Sequence, residues 1–191
     1  MERLLAAYSQ GIFPWYSGEM PVMWWSTDPR LVLFPDELKV SRSLRQAIRN
    51  GGFEISMNRD FPSVIRACAA IPRKHERGTW ITEEMQEAYI ELHRRGHAHS
   101  VEAWHEGKLA GGLYGVAIGT TFFGESMFAL RPNASKVALV HLVGRLKELR
   151  YEIIDCQQTT PHLVSLGARE IPRSEFLRII RRCVKMQAGP T

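Results

Sequence analysis

The sequence predicts an α+β protein built on one mixed sheet, and three observations predict it. Between His97 and Phe128, three strand-like runs rich in alternating and β-branched residues follow one another through tight turns. A helical pattern, a short apolar strand and a final helix come next. Helices and short strands precede them, as a separate portion. The chain's 191 residues, 45% of them hydrophobic and 24% charged, suit one substantial domain with a small appendage.

The elements follow in order. Glu2 to Tyr8 reads as a short helix with no cap before it, as expected of a shortened version of something longer. Gly11-Ile12-Phe13-Pro14-Trp15 breaks it and presents aromatics from a loop. Val22 to Ser26 is a short apolar strand, Thr27-Asp28-Pro29-Arg30 a turn, and Leu31 to Phe34 a second short strand closed by Pro35. Ser41 caps a helix that stops at Gly51-Gly52. Phe53 to Met57 is a strand and Phe61 to Ala70 a helix. A basic loop, Ile71 to Gly78, delivers Thr79-Trp80-Ile81. Thr82 then caps an amphipathic helix running through His93, with Met85, Ala88, Tyr89 and Leu92 on its apolar face. The strand runs are His97–His105, Lys108–Gly119 and Thr120–Phe128. Pro132-Asn133 ends the last, and a helix runs from Ala134 or Ser135 to Leu149. Tyr151 to Gln158 is a buried strand, and Ser174 to Val184 the closing helix.

Composition narrows the function classes. A net charge of +5 and a pI of about 9.3 hint at a polyanionic partner and no more. Cys68, Cys156 and Cys183 are far apart and odd in number, which suits a reduced, cytoplasmic setting rather than a disulfide framework. No apolar run has the length of a membrane span, and the N-terminus has no signal-peptide pattern. His93, His97 and His99 lack the spacing and the further ligand of a zinc site. Neither a phosphate-binding glycine loop nor a Gly-x-Ser-x-Gly elbow is present.

Several residues carry two readings. Asp155 and Gln157 alternate onto one face of their strand, with Ile154 and Cys156 on the other. They are either a hydrogen-bonded pair closing a strand end or a working pair. Glu125, set between Phe122-Phe123 and Met127-Phe128, is either a buried partner of a lysine such as Lys136 or an anion that receives a cation. Trp15 and Trp80 lie in loops and are either core or stacking platforms for a base. Arg42, Arg45 and Arg49 share one helix face without interleaved acids, either solvated or facing phosphates. The glycines at 111, 112, 115 and 119 allow a close approach or a bulge.

The strand-helix-strand-helix order resembles the acyltransferase fold of the N-acetyltransferase superfamily (GNAT-type). More specifically, Gly11-Ile12-Phe13-Pro14-Trp15, Trp24-Trp25-Ser26-x-Asp28-Pro29-Arg30, Gly78-Thr79-Trp80-Ile81, His97-Ala98-His99-Ser100-Val101-Glu102, Gly111-Gly112-Leu113-Tyr114-Gly115, Gly124-Glu125-Ser126-Met127-Phe128, Asn133-Ala134-Ser135-Lys136, Asp155-Cys156-Gln157 and Ser165-Leu166-Gly167-Ala168 together resemble the leucyl/phenylalanyl-tRNA–protein transferase family. The resemblance implies a small, shortened N-terminal domain over 1–34 and an acetyltransferase-like catalytic domain over 35–191. It implies transfer of Leu, Phe or, less readily, Met from aminoacyl-tRNA to proteins with N-terminal Arg or Lys, creating a bacterial N-degron, with no metal and no coenzyme A. Trp15 and Trp80 would hold the terminal adenosine, and Arg42, Arg45 and Arg49 would grip the tRNA. Leu113, Phe122, Met127, Leu142, Leu146 and Ile154 would line the side-chain pocket, and Glu125, Asp155 and Gln157 would flank the reacting centre. Asp155 is expected to orient the Gln157 amide and, with Glu125, to attract the cationic acceptor.

The chain departs from the family pattern at Thr27, where Pro is usual, at Ala129-Leu130, and at Gln46 and Asn50 in the basic helix. Two rival classes stand beside this reading. An acyl-CoA N-acetyltransferase would want a glycine-rich loop where Arg131-Pro132-Asn133-Ala134-Ser135 stands. A non-catalytic tRNA-binding module is the other.

Overall fold

Polar side chains start the helices where the sequence places them. In the computed structural model, which describes residues 2–16, 21–71 and 79–186, Ser41 Oγ accepts from the Leu44 amide at 3.1 Å. Asp60 and Thr82 accept likewise from Ser63 and Met85 at 3.1 and 3.3 Å, satisfying amides that the first helical turn leaves unpaired. The basic loop expected after Ile71 lies outside the described residues.

In chain order the elements are α1 (Glu2–Tyr8), β1 (Phe13–Pro14), β2 (Trp24–Trp25), β3 (Arg30–Leu33), α2 (Arg42–Asn50), β4 (Phe53–Met57), α3 (Phe61–Ala70), α4 (Glu83–Arg94), β5 (Ala98–His105), β6 (Lys108–Ile118), β7 (Thr121–Ala129), α5 (Ala134–Glu148), β8 (Ile153–Gln157), α6 (Pro161–Ser165), β9 (Arg169–Ile171) and α7 (Arg173–Cys183). The expected α+β class with one mixed sheet is what forms. Seven strands run in the order β4-β5-β6-β7-β8-β3-β9. All neighbours are antiparallel except β7 and β8, which are parallel and joined through α5.

One expectation changes, and one stretch without an expected element takes shape. Of the early strands, only β1 and β2 stay apart, as a two-stranded antiparallel pair; β4 is one edge of the main sheet, and β3 lies between β8 and β9 near the other. The segment around Ser165 holds a five-residue helix, α6, and leads into β9, which covers the outer side of β3. Strands of two to four residues carry too little periodicity to read from sequence; partners decide them.

Helices cover both faces of the sheet. On one side α1, α3, α4 and α7 bury Tyr8, Phe61, Ile65, Tyr89, Phe176 and Ile180 together with Phe13. On the other, α5 buries Leu139, Leu142 and Leu146, and Leu44 of α2 joins the same cluster. Gly111 permits the close seating of α5: a side chain there would meet Ala134 Cβ at 2.5 Å.

Candidate active site

The site forms where β7 and β8 part. Their pairing covers Thr121–Phe123 against Ile153–Asp155 and then stops. Just past that point each strand carries a bulge. On β7, Tyr114 faces Ser126 while Gly115 faces Gly124, so Glu125 is the extra residue. On β8, Val32 faces Asp155 while Leu31 faces Gln157, so Cys156 is the extra residue. A bulge bends its strand and re-aims the side chains beyond it.

The second bulge overturns the expected alternation. Gln157 sits at φ +63°, in the left-handed region, where a residue other than glycine costs roughly 1–2 kcal/mol. Its amide therefore turns to the same cavity that Ile154 and Cys156 face, while Asp155 points away. Asp155 is fully buried and held by both arms of Arg30, at 2.8 and 2.6 Å; Arg30 is fully buried too. The guanidinium lies 4.7 Å from the ring centre of Phe13 and 4.5 Å from that of Phe176. Asp155 reaches Gln157 through the backbone, accepting its N–H at 3.0 Å. It neither holds the Gln157 amide nor faces the cavity, so the expected attraction of a cation does not fall to it.

Glu125 holds that amide. Gln157 Nε2 donates to Glu125 Oε1 at 2.9 Å, and Tyr89 Oη donates to Glu125 Oε2 at 2.7 Å. Tyr89 in turn meets Tyr8 Oη at 2.5 Å. These partners, and not Lys136, are what the half-buried Glu125 finds. Burial pushes its carboxyl up to about 7; the hydrogen bonds from Tyr89, Tyr8 and Gln157 pull the other way, and nearby Asp155 adds to the rise. With Nε2 given to Glu125, Gln157 Oε1 has no hydrogen bond among the described residues and is left as an acceptor.

The cavity has a volume of about 360 Å³. Of the residues expected in the side-chain pocket, Leu113, Phe122, Met127, Leu142 and Ile154 line it; Trp15, Trp80, Glu125 and Gln157 line it as well. Leu146 does not: it is one turn further along α5, buried in the core. Leu139, Tyr114, Cys156 and His162 are among the further lining residues that were not expected there. Leu139 was legible, lying three residues before Leu142 on the same helix face. Trp80 is 5% exposed and packs edge-on to Tyr89, so it is a wall of the core as well as of the cavity. Trp15 meets Trp25 edge-on at 6.0 Å. Burial pushes the Cys156 thiol well up, which keeps it protonated and unreactive.

Other candidates are placed elsewhere. His93 stacks on Phe61 with ring centres 4.4 Å apart, and His99 Nδ1 meets the Asn58 amide at 3.1 Å. Among the described residues no cluster of His, Cys, Asp or Glu could hold a metal. Arg42, Arg45 and Arg49 are exposed on α2, which leans on α5 through Leu44, and none has an ion pair among the described residues. No described helix is long and apolar enough to cross a membrane.

Comparison with known proteins adds a family. A family model described as leucyl/phenylalanyl-tRNA protein transferase matches residues 32–181, and one for the N-terminal domain of such proteins matches residues 1–28. The leucyl/phenylalanyl-tRNA–protein transferase of Nitrosospira multiformis is 59% identical over 188 residues, covering 98% of this chain and 81% of that protein. That of Pseudomonas aeruginosa is 59% identical over 181 residues, covering 95% and 80%. Likeness to solved structures is distant. A GCN5-related N-acetyltransferase from Kribbella flavida has a TM-score of 0.46 at 12% identity, over 84% of this chain and 56% of that one. L-PGS from Bacillus licheniformis has 0.48 at 14%, over 84% and 52%.

Proposed function

The chain belongs to the leucyl/phenylalanyl-tRNA–protein transferase family and is an aminoacyltransferase, and we propose that it moves Leu, Phe and, less readily, Met from aminoacyl-tRNA to the α-amine of proteins that begin with Arg or Lys. The product carries an N-degron, and the setting is the cytoplasm, where the donor is made. One observation carries this reading: an apolar cavity, walled by two tryptophans, ends at a Glu125–Gln157 pair.

The donor's apolar side chain enters between Leu113, Phe122, Met127, Leu142 and Ile154. Trp15 and Trp80 bracket the terminal adenosine at the mouth, and the α2 arginines meet the tRNA backbone. The acceptor amine, with an ordinary pKa of about 7.7 to 8.0, is partly neutral at pH 7. It attacks the ester carbonyl; the new C–N bond forms, the bond to the ribose oxygen breaks, and the amine's proton passes to that oxygen. Gln157 Oε1 accepts a hydrogen bond from the amine and aims its lone pair. An amide is too weak a base to keep the proton, so the gain comes from orientation. Glu125 holds the amide and supplies negative potential for the cationic first residue, whose arrival favours the ionised carboxylate. Asp155 is a positioning residue, acting through the Gln157 backbone.

The test is transfer of labelled Leu from Leu-tRNA to a substrate with N-terminal Arg, run beside acetyl-CoA. Label on the Arg substrate, and none on one beginning with Ala, is expected; acetyl transfer in its place would refute the reading. Asp155→Asn is expected to lose most transfer while still binding Leu-tRNA, and full activity in that variant would remove Asp155 from the reaction.

A further inference from the structure

Gln157 is held at every polar point of its backbone. Its N–H goes to Asp155 Oδ1 at 3.0 Å, and its C=O accepts from Thr27 Oγ1 at 3.0 Å. Asp155 is itself fixed by Arg30. Both Thr27 and Arg30 come from one short segment, Ser26 to Arg30. That segment is anchored in turn to the start of α7: Asp28 Oδ1 accepts the Arg173 amide at 3.0 Å, and the Arg173 guanidinium donates to Ser26 O at 3.0 Å. Phe13 and Phe176 close on the Arg30 guanidinium from β1 and α7. Neither Thr27 nor Arg30 lines the cavity.

We propose that the Ser26–Arg30 segment is a clamp that sets the working conformation of Gln157, with Arg30 as a positioning residue for aminoacyl transfer and Thr27, where the family pattern has Pro, as this chain's own second arm. This rests on the reading of Gln157 as the group that aims the amine. A left-handed residue at a strand end relaxes unless something holds it. Here one clamp arm takes the N–H through the Arg30–Asp155 pair and the other takes the C=O through the Thr27 hydroxyl. Between them the peptide units on either side of Gln157 are fixed, and its side chain leaves toward Glu125. Without the Thr27 arm the Gln157–Gln158 peptide keeps only the Gln158 N–H bond to Cys156 O, at 2.7 Å, and the amide can swing away from the amine's line of attack. Substrate binding should change little, because neither Thr27 nor Arg30 lines the cavity.

Thr27→Val removes the hydroxyl at nearly constant shape. It is expected to lower kcat for Leu transfer about 10- to 100-fold, with KM for Leu-tRNA unchanged. Thr27→Ser, which keeps the donor, is expected to retain parental kcat within about twofold. The diagnostic is a double-mutant cycle: in a Gln157→Ala background Thr27→Val should lower single-turnover transfer no further, because its effect runs through Gln157. The side-chain amide protons of Gln157 in NMR spectra are expected to move toward free-amide positions in Thr27→Val. Arg30→Lys should act in the same direction; if that variant does not fold, the Thr27 series decides. Parental kcat in Thr27→Val, or an undiminished loss in the Gln157→Ala background, overturns the clamp. If the unaltered protein transfers no Leu, the proposed function fails and takes the clamp with it; if it transfers normally and Thr27→Val does too, the clamp alone fails.

Discussion

A carboxyl held near pKa 7 between a phenol and an amide is close to half ionised at neutral pH, and that gives Glu125 two measurable signatures. The ionised form accepts from Tyr89 and Gln157 together; protonation converts one oxygen into a donor and loosens the amide. Transfer should therefore fall as pH drops below 7, beyond the fall caused by protonation of the acceptor amine. Two titrations give log kcat/KM a limiting slope of about 2 on the acid side, and Glu125→Gln should reduce it to about 1, since the amine's own titration remains. An unchanged slope would remove Glu125 from the acid limb. Stability carries the opposite signature. The folded-state pKa, about 7, lies above the ordinary carboxylate value of 4.5, so the contribution of Glu125 is fully present below pH 4.5 and is lost as pH rises through 7. Glu125→Gln should thus melt higher than the parent at pH 8, with the difference closing toward pH 4.5. Arg30 is the residue that sequence reading passed over. As the last residue of a Thr-Asp-Pro-Arg turn it looks exposed, and only its pairing with a carboxylate 125 positions away buries it.

Helix α5 separates pocket from core within two turns. Leu139 and Leu142 reach the cavity, and Leu146 lies beyond its end. Leu142→Ala should change the relative kcat/KM for Leu, Phe and Met donors, as should Met127→Ala on the facing strand; three unchanged ratios would count against the pocket. Leu146→Ala should leave those ratios alone and lower stability by about 2–5 kcal/mol, read from urea unfolding. Helix α2 makes a separate prediction. The proposed grip of its three exposed arginines on tRNA phosphates predicts that changing all three to Gln weakens aminoacyl-tRNA binding. The slope of log K against log salt should flatten by about 0.7–0.9 for each arginine. An unaltered slope would place the tRNA elsewhere. The amphipathic and capped elements were legible in the chain because period and caps are local. The two bulges were not, because they depend on which residue of the neighbouring strand each residue faces.

The described residues before Pro35 pack against the rest of the chain. Tyr8 and Phe13 share a core with Tyr89, Phe176 and Ile180, and β3 is hydrogen-bonded on both sides within the main sheet. A chain joined in this way should unfold once: calorimetric and van't Hoff enthalpies should agree, and two resolved transitions would show an independent N-terminal unit. Local pattern is enough for the α+β class, the helices and the antiparallel run, because hydrophobic period and capping residues act over a few positions. The family resemblance, and not pattern or spacing, supplied most of the cavity's lining: Trp15, Trp80, Leu113, Phe122, Glu125, Met127, Leu142, Ile154 and Gln157 all line it. How the polar ones act on each other follows from the assembled sheet. Strand alternation put Asp155 and Gln157 on one face; the bulge against β3 turned them apart. Asp155 went to the buried Arg30, and the Gln157 amide went to Glu125. A one-residue slip reverses the face of every side chain beyond it, and the register that sets the slip belongs to the neighbouring strand and not to the segment itself.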